Sequence, residues 1–115
     1  MSYDVAVWEG PRPSDDREAA EVHERLYADY LDADEIEPVL DVVRRFVEVL
    51  TRQWPDTNTG DDTPWAGVPL LKGASGPYVY LSISWSAAEE VSAFVADVAD
   101  QFGLVCFDPQ AGMLR

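Results

Sequence analysis

Apolar and polar residues alternate without interruption along one stretch of the chain, residues 76–86. Val79, Leu81, Ile83 and Trp85 occupy every second position, and tyrosines and serines lie between them. A repeat of two residues places these sets on opposite faces of a β-strand. The stretch therefore predicts the central strand of a sheet, with one face toward the core.

Three other segments carry apolar residues at helical spacing, namely residues 14–30, 38–54 and 86–102. The first helix is preceded by Ser14-Asp15-Asp16, which offers an N-cap and acidic residues for the first turn. The third is preceded by Ser86-Ala87-Ala88-Glu89, which has the pattern of a capping box. We expect three helices.

Shorter apolar runs at residues 3–8, 68–71 and 104–107 predict the remaining strands. The element order is then β-α-α-β-β-α-β, in a single globular domain spanning residues 1–115. The expected class is α/β (α+β), with a mixed sheet of about four strands and helices mainly on one face. The last β-α-β unit is expected to be a right-handed crossover, with the central and final strands parallel. A single helix between the first two strands would make this a ferredoxin-like split β-α-β fold, so the extra helix makes it a relative of that fold.

Two of the predicted strands have a tryptophan near their carboxyl end, and a third tryptophan lies in a loop. If each element runs opposite to its predecessor, the carboxyl ends of the first, central and last strands share one edge of the sheet. Trp8 and Trp85 would lie there, and Trp65 would arrive from the loop at residues 55–67. Open α/β sheets bind ligands at that edge. We call this predicted site the tryptophan rim; packing in the core is the alternative.

Charge narrows the choice of partners. The chain has 22 acidic and 8 basic residues, a net charge of −14, which repels nucleic acid and anionic membranes and favours a basic protein or a cation. The densest acidic segment, here the acidic stretch, has six carboxylates and no Lys or Arg. They are Asp29, Asp32, Asp34, Glu35, Glu37 and Asp41. A basic partner surface or a simple solvated corner would each account for it.

Catalytic chemistry has little support in the sequence. His23 is the single histidine, so it has no second histidine as a catalytic partner. Cys106 is the single cysteine, and it lies within a predicted apolar strand. The loop at residues 56–62 departs from the calcium-loop pattern, because Gly67 stands where the pattern requires a glutamate. We expect no catalytic residues, no metal and no cofactor.

Two further observations bear on location. No apolar run reaches the roughly 20 residues needed to span a bilayer. A single cysteine excludes an internal disulfide, and the first residues do not resemble a signal peptide. A cytoplasmic protein is expected.

Residues 1–8, 83–90 and 103–109 resemble the opening, middle and end of a group of short, largely uncharacterised bacterial proteins. Members often begin Met-x-Tyr-Asp-Leu-x-Val, carry Trp-Ser-x-Ala-Glu before the last helix, and close on a strand ending in Phe-Asp. Small acidic proteins of this sort resemble the immunity proteins that neutralise bacterial toxins. This chain departs from the group in its long, acidic loop at residues 55–67.

The resemblance implies a non-enzymatic binding role. The protein would occlude a basic toxin domain through the acidic stretch or the tryptophan rim. The alternative is a small-molecule or cation-binding domain that uses the rim.

Overall fold

The computed structural model describes residues 2–32, 35–56 and 63–115. The strands are β1 (Ser2–Trp8), β2 (Ala74–Ser75), β3 (Tyr78–Ser84), β4 (Val105–Asp108) and β5 (Met113–Leu114). The helices are α1 (Asp16–Leu26), α2 (Asp41–Gln53) and α3 (Ala88–Gln101). A π turn (Tyr27–Leu31) continues α1, and 3₁₀ turns occupy Leu70–Gly73 and Trp85–Ala87.

The strands form one sheet in the order β2-β3-β1-β4-β5, and every neighbouring pair is antiparallel. This confirms the predicted α+β class, with an antiparallel sheet of five strands in place of a mixed sheet of about four. The strands β3 and β4 run in the same direction, as predicted for the last β-α-β unit, but β1 lies between them. The unit is therefore split by the first strand.

The predicted direction of β1 is wrong. Trp8 pairs with Tyr78 and Ser2 pairs with Ser84, so β1 runs opposite to β3. The expectation assumed that each element reverses the direction of the one before it. The helices α1 and α2 instead pack on opposite faces of the sheet, so they are not neighbours and a simple alternation of direction along the chain does not apply.

Both faces of the sheet are covered, because alternate residues of β1 point to opposite sides. Val5 and Val7 pack with α2 and α3 in the larger core, and Ala6 and Trp8 pack with α1 in the smaller one. The buried residues of α2 are Val43, Phe46, Val47 and Leu50. They belong to the apolar stripe that the helical spacing predicts.

The chain entering β3 differs from the prediction. Residues 70–73 form a 3₁₀ turn in place of a strand, and β2 pairs with β3 through a tight turn at Gly76-Pro77. Gly76 has φ +54°, and a Cβ there would lie 2.8 Å from Cε1 of Tyr30. The turn therefore requires glycine, both for its backbone conformation and for the close approach of that ring.

A side-chain N-cap predicted from the sequence is present in one of the three helices. Asp15 caps α1 by accepting the amide hydrogen of Glu18 at 2.8 Å. The helix α2 begins at Asp41, three residues after Pro38, without a side-chain cap. The helix α3 begins at Ala88 after a 3₁₀ turn and also lacks a side-chain cap, so the predicted capping box is wrong. Within the described part of the chain, no helix is long and apolar enough to cross a membrane.

Candidate functional site

The three tryptophans of the predicted rim do not come together, because β1 runs opposite to β3. Trp8 is buried at the far end of β1, where its ring stacks on that of Tyr78. Trp65 is buried beside Ile83, and its indole N–H donates to the Trp54 carbonyl at 2.7 Å. Trp85 alone is exposed. The predicted tryptophan rim is therefore wrong, and Trp8 and Trp65 are core residues.

The acidic stretch is largely exposed, but the last of its carboxylates, Asp41, has cationic partners. Asp41 lies 2.5 Å from Nη2 of Arg44 and 2.9 Å from Nε of Arg45. Its charge is balanced within α2, so it offers a basic partner less free negative charge than the exposed carboxylates before it. Asp34 lies outside the described residues.

Four exposed carboxylates of the stretch make no salt bridge within the part of the chain that is described. They are Asp29, Asp32, Glu35 and Glu37. Asp29 lies on the π turn, and Glu35 and Glu37 lie on the extended segment before α2. Their negative charge is left for solvent or a partner.

Hydrogen bonds to the β2–β3 turn hold the extended segment in place. The Glu37 amide donates to Oγ of Ser75 at 2.9 Å, and the Gly76 amide donates to the Glu37 carbonyl at 3.3 Å. The Leu40 amide donates to the Gly76 carbonyl at 3.0 Å. The backbone at Glu37 and Leu40 is therefore tied to the turn that links β2 to β3.

Large apolar side chains are exposed on the same segments. Ile36, between two of the carboxylates, is 57% exposed, and Tyr27 on the π turn is 42% exposed. Leu40 and Leu71 are exposed as well. The π turn contacts β2 and shares a groove of about 340 Å³ with the 3₁₀ turn at residues 70–73. Exposed apolar side chains near these carboxylates make the region a candidate interaction site.

We call this region the acidic surface. Its members are Asp29, Asp32, Glu35 and Glu37 together with Tyr27, Ile36, Leu40 and Leu71.

An aromatic pocket adjoins the acidic surface on the α1 side of the sheet. A cavity of about 290 Å³ is lined by His23 and Glu24 of α1, Tyr27 of the π turn and Tyr80 of β3. Nδ1 of His23 lies 2.9 Å from the Tyr78 hydroxyl. Burial lowers the pKa of His23 below its ordinary value of 6.5. The imidazole is therefore neutral at neutral pH and is held by packing and one hydrogen bond.

Sequence reasoning missed this pocket. The i, i+4 spacing of His23 and Tyr27 and the placement of Tyr78 and Tyr80 on one strand face were visible in the sequence. What was missing was the face of the sheet on which α1 packs. Only that placement brings the helix and strand rings together.

The opposite end of β3 carries a second set of polar residues, here the Asp108 cluster. Asp108 is 2% exposed and accepts hydrogen bonds from the Tyr3 hydroxyl and from the amides of Gln110 and Ala111. Nη1 of Arg115 lies 3.6 Å from its carboxylate. The hydrogen bond to Asp108 is the main cause that raises the pKa of Tyr3. The cluster ties β1 to β4 and the chain that follows it, which is a structural role.

A groove of about 620 Å³ lies beside this cluster, lined by Trp85, Tyr3 and Arg115 among others. Nη1 of Arg115 donates to Oγ of Ser92 at 3.3 Å. Tyr3, Ser92 and Arg115 are therefore engaged in hydrogen bonds or an ion pair. Trp85 packs against Tyr3 with ring centroids 5.8 Å apart.

The remaining chemistry to consider is that of the Cys106 thiol and of side chains that could bind a metal ion. Burial raises the pKa of the Cys106 thiol to about 12, so it is protonated at neutral pH. Across residues 2–32, 35–56 and 63–115, no three His, Cys, Asp or Glu side chains are arranged to hold a metal ion. The loop at residues 56–62, which departs from the calcium-loop pattern, lies almost entirely outside the described residues.

Comparison of the chain with protein-family models, with curated proteins and with solved structures finds no match.

Proposed function

We propose that this protein is a non-enzymatic binding protein of the immunity type, which occludes a basic domain of a bacterial toxin through the acidic surface. One observation carries the proposal. Ile36, the most exposed of the large apolar side chains, lies between Glu35 and Glu37, and neither carboxylate has a cationic partner among the described residues.

The two kinds of residue have separate tasks in this proposal. Apolar anchors such as Ile36 and Tyr27 gain about 25 cal/mol for each Å² removed from water. The carboxylates around them attract a basic surface, raise the association rate and oppose binding of acidic surfaces. The net charge of −14 adds a long-range field of the same sign.

The backbone of the surface supports tight binding. Glu37 and Leu40, which follow Ile36, are hydrogen-bonded to the β2–β3 turn, so the backbone beside Ile36 is held by the sheet. A partner therefore does not have to provide the free energy for ordering that backbone, which leaves more of the contact energy for affinity.

The non-enzymatic part of the proposal rests on how the titratable groups are engaged. Asp108 accepts three hydrogen bonds within its cluster, and His23 is paired with Tyr78. The alternative of a ligand site at a tryptophan rim has lost its geometric basis, because two of the three tryptophans are buried core residues.

The test is co-purification of partners with the tagged protein from its own cells, at low and at high salt. The surface variant combines Asp29→Asn, Asp32→Asn and Glu35→Gln. A matched control removes the same charge from exposed positions on α2 and α3, through Glu48→Gln, Asp97→Asn and Asp100→Asn.

We expect a stoichiometric basic protein that is released by salt, is lost from the surface variant and is retained by the control. That partner should be toxic when it is expressed without this protein. Equal capture by the surface and control variants would contradict the proposed interface, and a captured protein without toxicity would contradict the immunity role.

A further inference from the structure

Three rings form the walls of the aromatic pocket. The rings of His23 and Tyr80 are close to parallel, at 11°, with centroids 5.9 Å apart. The Tyr27 ring stands at 65° to His23 and 74° to Tyr80, with centroids 6.3 and 5.6 Å away. The rings of His23 and Tyr80 therefore stack on one another and Tyr27 meets both of them edge-on. The outer corner of this ring cluster lines the cavity together with Glu24.

This corner has the electrostatics of a cation site. The face of an aromatic ring carries the negative part of its quadrupole, so it attracts an ammonium or guanidinium group. The Glu24 carboxylate adds a full negative charge at the edge. None of the four lining residues carries a positive charge at neutral pH, since burial keeps the His23 imidazole neutral.

Hydrogen bonds fix two of the rings before any ligand arrives. The Tyr80 hydroxyl donates to Oδ2 of Asp4 at 3.0 Å, and Asp4 also accepts from Oγ of Ser2. The imidazole of His23 is bonded to Tyr78. Tyr27 is the exposed wall, and it belongs both to this pocket and to the acidic surface.

We propose that the pocket formed by His23, Glu24, Tyr27 and Tyr80 binds the guanidinium or ammonium group of a basic side chain of the partner protein. The identity of that partner rests on the proposed function. The pocket lies at the edge of the acidic surface, so a basic partner docked there brings Lys or Arg side chains within reach of it. Lys72 lines the neighbouring groove, which shares Tyr27 and Tyr80 with this pocket.

The test titrates the isotope-labelled protein with N-acetyl-arginine amide, N-acetyl-lysine amide and the neutral N-acetyl-citrulline amide, followed by NMR. We expect saturable shifts of the ring resonances of His23, Tyr27 and Tyr80 with the two cations and none with citrulline. The cation that binds more tightly identifies the preferred head group. Shifts of equal size with citrulline, or none with either cation, would overturn the proposal.

Two variants locate the binding within the pocket. Tyr27→Leu keeps an apolar side chain but removes the ring face, and it should weaken cation binding about two- to fivefold. Glu24→Gln should weaken it in the same direction, whereas Glu48→Gln on the other face of the sheet should have no effect. Unchanged binding in both pocket variants would also overturn the proposal.

The titration uses no partner, so its outcome is separate from that of the proposed function. Failure of the titration with a salt-sensitive partner still captured would refute the pocket alone. A successful titration with no captured partner would refute the toxin-binding role alone.

Discussion

Carboxylates and large apolar side chains lie near both ends of β3, but the two groups differ in how they are paired. At one end, Tyr3, Arg115 and Asp108 satisfy one another, and the carboxylate is buried. At the other end, Ile36 and the carboxylates around it face solvent. Groups that satisfy one another contribute to stability, whereas exposed apolar and charged groups gain free energy only when a partner covers them. The comparison separates a structural end from a binding end.

The largest effect is expected from breaking the structural end. Asp108→Ala removes the acceptor for the Tyr3 hydroxyl and two backbone amides and leaves Arg115 without its carboxylate. We expect a loss of about 3 kcal/mol in the free energy of unfolding, measured by urea denaturation. The control Asp29→Ala, at the binding end, should change it by less than about 0.5 kcal/mol. Equal losses of unfolding free energy for Asp108→Ala and Asp29→Ala would contradict the division into a structural end and a binding end.

Gly76→Ala should give the next largest effect, because it strains the turn that holds the acidic surface. The residue has φ +54°, and the new Cβ would lie 2.8 Å from the Tyr30 ring. We expect a loss of about 2 kcal/mol in the free energy of unfolding. Gly103→Ala is the control, since it also has a positive φ but no atom within 4 Å of the new Cβ. A loss no larger than that of the control would show that the Tyr30 contact is unimportant.

Ile36→Ser tests the binding end through affinity. Loss of a central apolar anchor should weaken the partner complex about tenfold, measured by isothermal titration calorimetry, with the unfolding free energy unchanged within about 0.5 kcal/mol. The matched control is Trp85→Ser, which removes a side chain of similar exposure, 54% against 57%, at the structural end. If Trp85→Ser weakened the complex more than Ile36→Ser, the assignment of the two ends would be reversed.

The smallest effect concerns pH and the aromatic pocket. Burial lowers the pKa of His23 in the folded protein below its ordinary value of 6.5. The unfolded chain then binds the proton more readily, so this contribution to stability is present above that value and is lost as the pH falls below it. The groups that face the imidazole are Glu24, Tyr27, Tyr78 and Tyr80.

Unfolding free energies measured between about pH 7 and about pH 5 should therefore decrease for the native chain, and the decrease should be smaller for His23→Gln. Identical pH profiles for the two proteins would contradict the assignment to His23.

Local pattern predicted most of the elements. The alternation at residues 78–84 and the apolar stripes of the helices come from periodicity, and periodicity depends on near neighbours. The direction of β1 did not follow from pattern, because it depends on α1 and α2 packing on opposite faces. Because β1 runs opposite to the predicted direction, Trp8 and Trp85 lie at different edges of the sheet and the tryptophan rim does not form.

The candidate site was predictable in part. The acidic stretch was visible as a run of charge, but Arg44 and Arg45, which neutralise Asp41, follow it by one helical turn and were assigned to the helix. The aromatic pocket was not predictable, since Tyr80 is far in sequence from His23 and Tyr27 and meets them only through the tertiary fold.

The most direct measurement is hydrogen–deuterium exchange of the captured complex against the free protein. The account predicts slower exchange on binding in residues 27–32, 35–40 and 70–73, and no change in residues 85–93 beside Trp85. Protection confined to residues 85–93 would place the partner at the structural end and contradict the account.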